Sequence, residues 1–273
     1  MNIVYFGTDV YLSTFLYMAK NHNIMMLYTY HNDEDYFTEY GVVKAAKELG
    51  IPVSYGKITE DEVKDLFTNK GCDLFFSAEY AYIIPVPEDI KNFRGVNVHA
   101  ALLPHGRGYY PIESGMVRGD EYFGVTMHVL APKIDRGDIV FQHKVKRTKD
   151  MDSVDIYLDN AVYVLQMAKD LLADVDGTLK GAYPQGAIEP YWKRPEISLL
   201  TLNHDMSCDE ALELYAKFNG MTEVVIDGKC YYVSSIMKGK TKVLEDAVFI
   251  AVNKCIYKAK DGNLRLDLIE KTV

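Results

Sequence analysis

The chain is 273 residues long, 48% hydrophobic and 25% charged, a composition that fills one large core with a smaller one appended. Its net charge of −9, with twelve basic and twelve acidic residues in balance over 193–273, argues against a nucleic-acid partner. No apolar run approaches the roughly 18 residues of a membrane span, and "MNIVYFGTDVYL" lacks the basic flank of a signal peptide, so no membrane and a cytoplasmic location are expected. Cys72, Cys208, Cys230 and Cys255 form no C-x-x-C pair, which points to scattered buried thiols with no disulfide framework and no bound metal.

In chain order, "NIVYF" (2–6) reads as a strand that "GTD" turns into the helical "VYLSTFLYMAK". "IMMLYTY" (24–30) is a second strand, "TEYGVVKAAKELG" (38–50) a helix closed by Gly50, and "IPVSYG" a third strand. "TEDEVKDLFTNKG" begins with a Thr cap and an acidic first turn, and "CDLFFSA" (72–78) is the fourth strand. This alternation predicts a mostly parallel sheet with helices on both faces, whose ligands sit beyond the carboxyl ends of the strands. "GTDVYLS" lacks the second and third glycines of a dinucleotide fingerprint, so NAD is not expected.

Further on, "FGVTMHVL" and "IVFQHKV" are strands joined by the polar turn "APKIDRGD", and an amphipathic helix follows over 151–174. The Gly- and Pro-rich "GTLKGAYPQGAIEPYWKRP" (177–195) reads as irregular linker, with Lys193 and Arg194 flanking it. "SCDEALELYAKF" is a short helix capped by Ser207, and Asp227-Gly228 and Asp261-Gly262 mark two hairpins. The expected organisation is therefore a catalytic domain over 1–180, a linker over 181–200 and a small α+β appendage over 201–273.

"NVHAALLPHGRG" (97–108) carries the chemistry. Residues i and i+2 of a strand face one side, so Asn97 and His99 project together from a strand end. A neutral imidazole accepts the proton of an attacking amine, while an amide N–H stabilises an oxyanion. The carboxylate missing locally is available from Asp135 or Asp138 in the next turn. His105, His128 and His143 share no metal-ligand spacing and are read as structural or surface residues.

The ordered pieces "NVHAALLPHGRGYYP" and "GVTMHVLAPKIDRGDIVFQ" resemble the signature of the 10-formyltetrahydrofolate-dependent formyltransferases, closely over 97–142 and more loosely back through "AYIIP" to "FGTDVYLSTFL". The resemblance implies a Rossmann-like catalytic domain with 10-formyltetrahydrofolate as cosubstrate and no metal. It also makes Asn97, His99 and Asp135 the catalytic trio, with His99 as base, Asn97 on the carbonyl oxygen and Asp135 orienting His99. The folate would lie against Tyr82, Ile83, Ile84 and Pro85 on one side and Lys133, Ile134 and Asp138 on the other. Arg107, Gly108, Tyr109 and Tyr110 would line the acceptor side. Ala101 departs from the frequent Ser of the family but lies between the residues that set the site.

The acid charge and neutral tail, with the "LLPHGRGYYP" loop, are most similar to the branch that formylates nucleotide-linked amino sugars. Its acceptors are aminodideoxy sugars on dTDP, UDP or GDP, and a homodimer is expected by the same resemblance. A methionyl-tRNA formyltransferase-like enzyme, a formyl-folate hydrolase and a non-catalytic nucleotide-binding module are the alternatives.

Overall fold

The computed structural model describes every residue except 31–39, 188, 194–195, 219–220 and 272–273, so Arg194 lies outside the described residues. It contains two compact units. The first comprises Met1–Pro111, Glu121–Lys146 and Tyr157–Trp192, the second Ile112–Asp120, Arg147–Ile156 and Lys193–Val273. Among the described residues no helix is long and apolar enough to cross a membrane.

Along the chain run β1 (Asn2–Gly7), α1 (Leu12–Asn21), β2 (Asn23–Thr29), α2 (Gly41–Glu48), β3 (Val53–Tyr55), α3 (Glu60–Thr68), β4 (Leu74–Ala78) and β5 (Gly95–His99). After α4 (Pro111–Arg118) come β6 (Tyr122–Val129), β7 (Ile139–Lys146), α5 (Ser153–Ala173) and α6 (Val175–Lys180). Seven strands form one sheet in the order β3-β2-β1-β4-β5-β6-β7. The first five are parallel, and β6 and β7 add an antiparallel edge. This is the mostly parallel sheet that the alternation predicts, in the Rossmann-like form that the resemblance implies.

The apolar run of β1 is buried on both faces, as a central parallel strand must be. Its period of two sends Ile3 and Tyr5 into one core with Leu27, Leu74 and Phe76. Val4 and Phe6 enter a second core on the opposite face with Tyr28 and Phe75. The same alternation puts Val96 and Val98 of β5 into the first core, which leaves Asn97 and His99 on the other face.

Helix α3 starts as its sequence dictates. The Thr59 hydroxyl accepts from the Glu62 N–H at 3.3 Å, and the Glu62 carboxylate accepts from the Thr59 N–H at 2.7 Å, a reciprocal cap. Thr59→Ala should cost about 0.5–2 kcal/mol, read as a lower denaturation midpoint with an unchanged slope.

The second unit holds β8 (Thr201–Leu202), α7 (Cys208–Phe218), β9 (Glu223–Ile226), β10 (Lys229–Gly239), β11 (Ala247–Ala251), β12 (Lys254–Lys258) and β13 (Asn263–Glu270). The strands form a sheet in the order β11-β12-β13-β10-β9-β8. Ser207 caps α7 by the same reciprocal bonds with Glu210. Asp227 and Gly228 take φ of 51° and 77° between β9 and β10, the left-handed pair of a type I′ two-residue hairpin turn.

The stretch read as irregular linker behaves differently. It begins inside α6, and Tyr183 then exchanges two backbone hydrogen bonds with Ile139, at 2.8 and 3.0 Å. Trp192 donates its N–H to the Arg107 carbonyl at 2.6 Å and accepts the Tyr109 N–H at 3.1 Å. Tyr183 and Trp192 thus join the backbone hydrogen bonding of the first unit. Glycine and proline do disfavour regular helix or strand here, but backbone polar groups still find partners wherever the chain passes.

Candidate active site

His99 ends β5 and is 8% exposed. Its Nε2 lies 2.8 Å from the Gly106 carbonyl, which can only accept, so Nε2 carries the hydrogen and Nδ1 keeps the free lone pair. Nδ1 lies 3.8 Å from Asp135 Oδ1, within electrostatic reach but beyond hydrogen-bond length. The group that fixes the ring is therefore the Gly106 carbonyl, where the sequence suggested Asp135.

Asn97 is oriented by a residue that the sequence left aside. Strand β6 pairs antiparallel with β5 so that His128 stands opposite Asn97. His128 donates from Nδ1 to the Val129 carbonyl at 2.9 Å, which leaves Nε2 to accept from Asn97 Nδ2 at 3.1 Å. The amide is thereby pinned with its donor end known, and its second N–H remains to meet a developing oxyanion. His128 also stands 3.7 Å from Asp135 Oδ1. A histidine in the strand that pairs with an Asn-x-His strand was the available signal, but the register had to be known to use it.

Asp135 joins this cluster from the β6–β7 turn. It is 7% exposed, and its Oδ2 accepts the Gly108 N–H at 3.1 Å. Burial pushes the carboxyl up, yet attraction to His99 and His128 together with the Gly108 N–H outweighs burial and holds it below the ordinary carboxylate value. The turn closes tightly because residue 137 is glycine: a Cβ there would stand 1.7 Å from the Val129 carbonyl oxygen. Gly108 is equally constrained, with φ of 109° and a Cβ position 2.4 Å from the Trp192 carbonyl oxygen.

The lowered value has a stability consequence of definite sign. Ionised Asp135 contributes stability above the free-aspartate value of about 3.9, and that contribution is lost as pH falls through the lower folded value. Asp135→Asn should flatten this part of the acid limb. Chemical denaturation at pH 6 and near pH 3 tests it: an unchanged difference between the two pH values would contradict the assignment.

Two loops carry the residues expected on the folate side, one after β4 and one between β6 and β7. Ile83 is 63% exposed, while Ile84 is buried. Tyr82 packs edge-on against Tyr80 and Tyr30, and Pro85 is half-buried. On the turn, Lys133, Ile134 and Asp138 are exposed, and the Tyr191 hydroxyl donates to the Ile134 carbonyl. Ile83 and Ile134 are exposed apolar side chains. Among the described residues no cluster of His, Cys, Asp and Glu could hold a metal ion.

The four residues expected on the acceptor side divide. Tyr109 is 65% exposed, and Tyr110 is half-buried with φ of 50°. Gly108 serves Asp135 through its N–H. Arg107 departs from the expectation: it is 1% exposed, and its guanidinium donates to the Asp135 carbonyl at 3.0 Å, to Gln185 Oε1 at 2.7 Å and to the Glu189 carbonyl at 3.4 Å. An arginine between glycines suggests an anion site, but here the enclosed guanidinium turns Nε, Nη1 and Nη2 to acceptors inside the protein. It braces the wall of the site.

Residues 27–162 match the family described as "Formyl transferase". A methionyl-tRNA formyltransferase of Sulfurimonas denitrificans is 30% identical over 184 residues, 64% of this chain and 59% of that protein. The chain spans about half the length of several curated relatives that it matches. An N-formyltransferase from Helicobacter canadensis, solved with folinic acid and dTDP-3-aminofucose, superposes with a TM-score of 0.62 at 17% identity, covering 98% of this chain and 99% of its own. HypX from Aquifex aeolicus, solved with tetrahydrofolic acid, gives 0.66 at 16% identity over 99% of this chain and 44% of its own. Likeness at these identities establishes a shared fold.

Proposed function

We propose a function from one premise: residues 27–162 of this chain match the formyl transferase family. In our reading it moves a formyl group from 10-formyltetrahydrofolate to the primary amine of a nucleotide-linked aminodideoxy sugar carried on dTDP, UDP or GDP. The observation that carries the reaction is the convergence of a pinned amide, an imidazole with a free Nδ1 and a buried carboxylate at one strand end.

The amine nitrogen attacks the formyl carbon, and His99 Nδ1 takes the proton that the amine gives up. The carbonyl oxygen becomes an oxyanion that accepts from Asn97 Nδ2. The ionised Asp135 favours the imidazolium that forms. Collapse of the tetrahedral intermediate breaks the bond from the formyl carbon to folate N10, which leaves with a proton returned through the His99–Asp135 pair. Tyr82, Ile83, Ile84 and Pro85 with Lys133, Ile134 and Asp138 would flank the folate. Tyr109 and Tyr110 would meet the acceptor.

The acceptor class rests on two supports. A polyanionic tRNA calls for a basic surface, whereas this chain carries −9 overall and a neutral stretch over 193–273. A neighbour solved with dTDP-3-aminofucose is also covered along 99% of its length. The second reading, formylation of methionyl-tRNA, is favoured by the names of the sequence relatives.

The test is mass spectrometry of the protein with 10-formyltetrahydrofolate and a panel of nucleotide-linked amino sugars. A single formyl gain on one sugar is expected, formed about 10²–10⁴-fold more slowly with His99→Ala. Formate release independent of any acceptor would replace this reading by a hydrolase, and transfer to methionyl-tRNA alone would promote the second.

A further inference from the structure

Asp135 sits at φ of 51°, a left-handed conformation that costs a non-glycine residue about 1–3 kcal/mol. Such a conformation persists only where its surroundings over-determine it. Two side chains far away in sequence do so. Gln185 donates from Nε2 to the Asp135 carbonyl at 2.9 Å and to the Gly137 carbonyl at 2.7 Å. Its Oε1 accepts from Arg107 Nη2 at 2.7 Å and Nε at 3.2 Å, and Arg107 Nε also reaches the Asp135 carbonyl at 3.0 Å. Both hydrogens and both lone pairs of the amide are in use. Only an amide fits this junction. A carboxylate would set acceptors against the Asp135 and Gly137 carbonyls, and an apolar group would strand all three partners.

We propose that Gln185 is a positioning residue for the reaction: by clamping the carbonyls on both sides of Arg136 and bracing Arg107, it sets where the Asp135 carboxylate stands beside His99 and His128. The inference rests on the function proposed above. Its physical basis is the pair of distances, 3.8 Å to His99 and 3.7 Å to His128, over which a charge acts with no hydrogen bond to His99 to correct its place. A backbone rotation at Asp135 would move the carboxylate without unfolding the sheet beneath it. Misplacement of about 1 Å is enough to cost on the order of 10²-fold in rate.

The experiment compares Gln185→Leu and Gln185→Glu with the wild type. Both should lower kcat by about 10–100-fold and leave the KM for 10-formyltetrahydrofolate near its original value. Carbon-13 NMR titration of the Asp135 carboxyl should show it rising toward the ordinary carboxylate value in Gln185→Leu. Gln185→Glu keeps a partner for Arg107 and loses only the two donations, so full activity in that variant would overturn the proposal. An unmoved Asp135 titration in Gln185→Leu would overturn it as well. Loss of the fold in both variants would too, because Gln185 would then be holding the first unit together and not placing a carboxylate. The titration needs no substrate. A wild type inactive on every acceptor would therefore remove the proposed function while the titration still decides the role of Gln185.

Discussion

His99→Ala is expected to lower formyl transfer by about 10²–10⁴-fold, the range lost when a general base is removed. The Nδ1 lone pair is left free because Nε2 is committed to the Gly106 carbonyl. The truncation also leaves a buried carbonyl without its donor, at about 1–3 kcal/mol, and this would blur the reading of an alanine variant alone. His99→Gln separates the two effects. Its amide can donate to the same carbonyl but cannot take up a proton, so its stability should lie near wild type while its rate stays low. Steady-state turnover paired with chemical denaturation on both variants checks this, and substantial turnover in well-folded His99→Gln would remove His99 from the role of base.

Arg107→Ala should destabilise the first unit by about 3–5 kcal/mol, the result of stranding several buried neutral acceptors at about 1–3 kcal/mol each. The side chain is fully enclosed, and its loss frees acceptors at Asp135, Gln185 and Glu189 together. These costs are not additive, since the partners share one network. Arg107→Lys should recover less than half of the loss, because a single ammonium cannot span the fork that a guanidinium fills. Urea denaturation followed by a probe of the first unit measures both. A change under about 1 kcal/mol would mean that water readily replaces the guanidinium.

A surface arginine reaching for an acceptor phosphate would give the opposite result for the same substitution, and that contrast shows where reading the sequence ends. "GRG" is compatible with an anion site and with a buried brace. Nothing within several residues distinguishes them, because the partners Gln185 and Glu189 lie some eighty residues on. The same holds for His128. Its alternating strand was legible, but its place opposite Asn97 depends on the antiparallel register of β5 with β6.

What the sequence by itself determined is everything governed by near neighbours. The apolar runs and helical spacings gave the strand–helix alternation. Thr59 and Ser207 marked helix starts through caps three residues long, and Asp227-Gly228 marked a hairpin because a left-handed pair makes a type I′ turn. The shared face of Asn97 and His99 followed from the two-residue period of a strand. The tertiary structure alone decided that Gly106 fixes His99, that His128 pins Asn97, and that Tyr183 and Trp192 bond to the backbone of the first unit. The physical reason is the range of the forces: propensity, periodicity and turn chemistry act over a few residues. The partner of a buried donor is whichever acceptor the folded chain brings within about 3 Å, and that depends on the path of the whole chain.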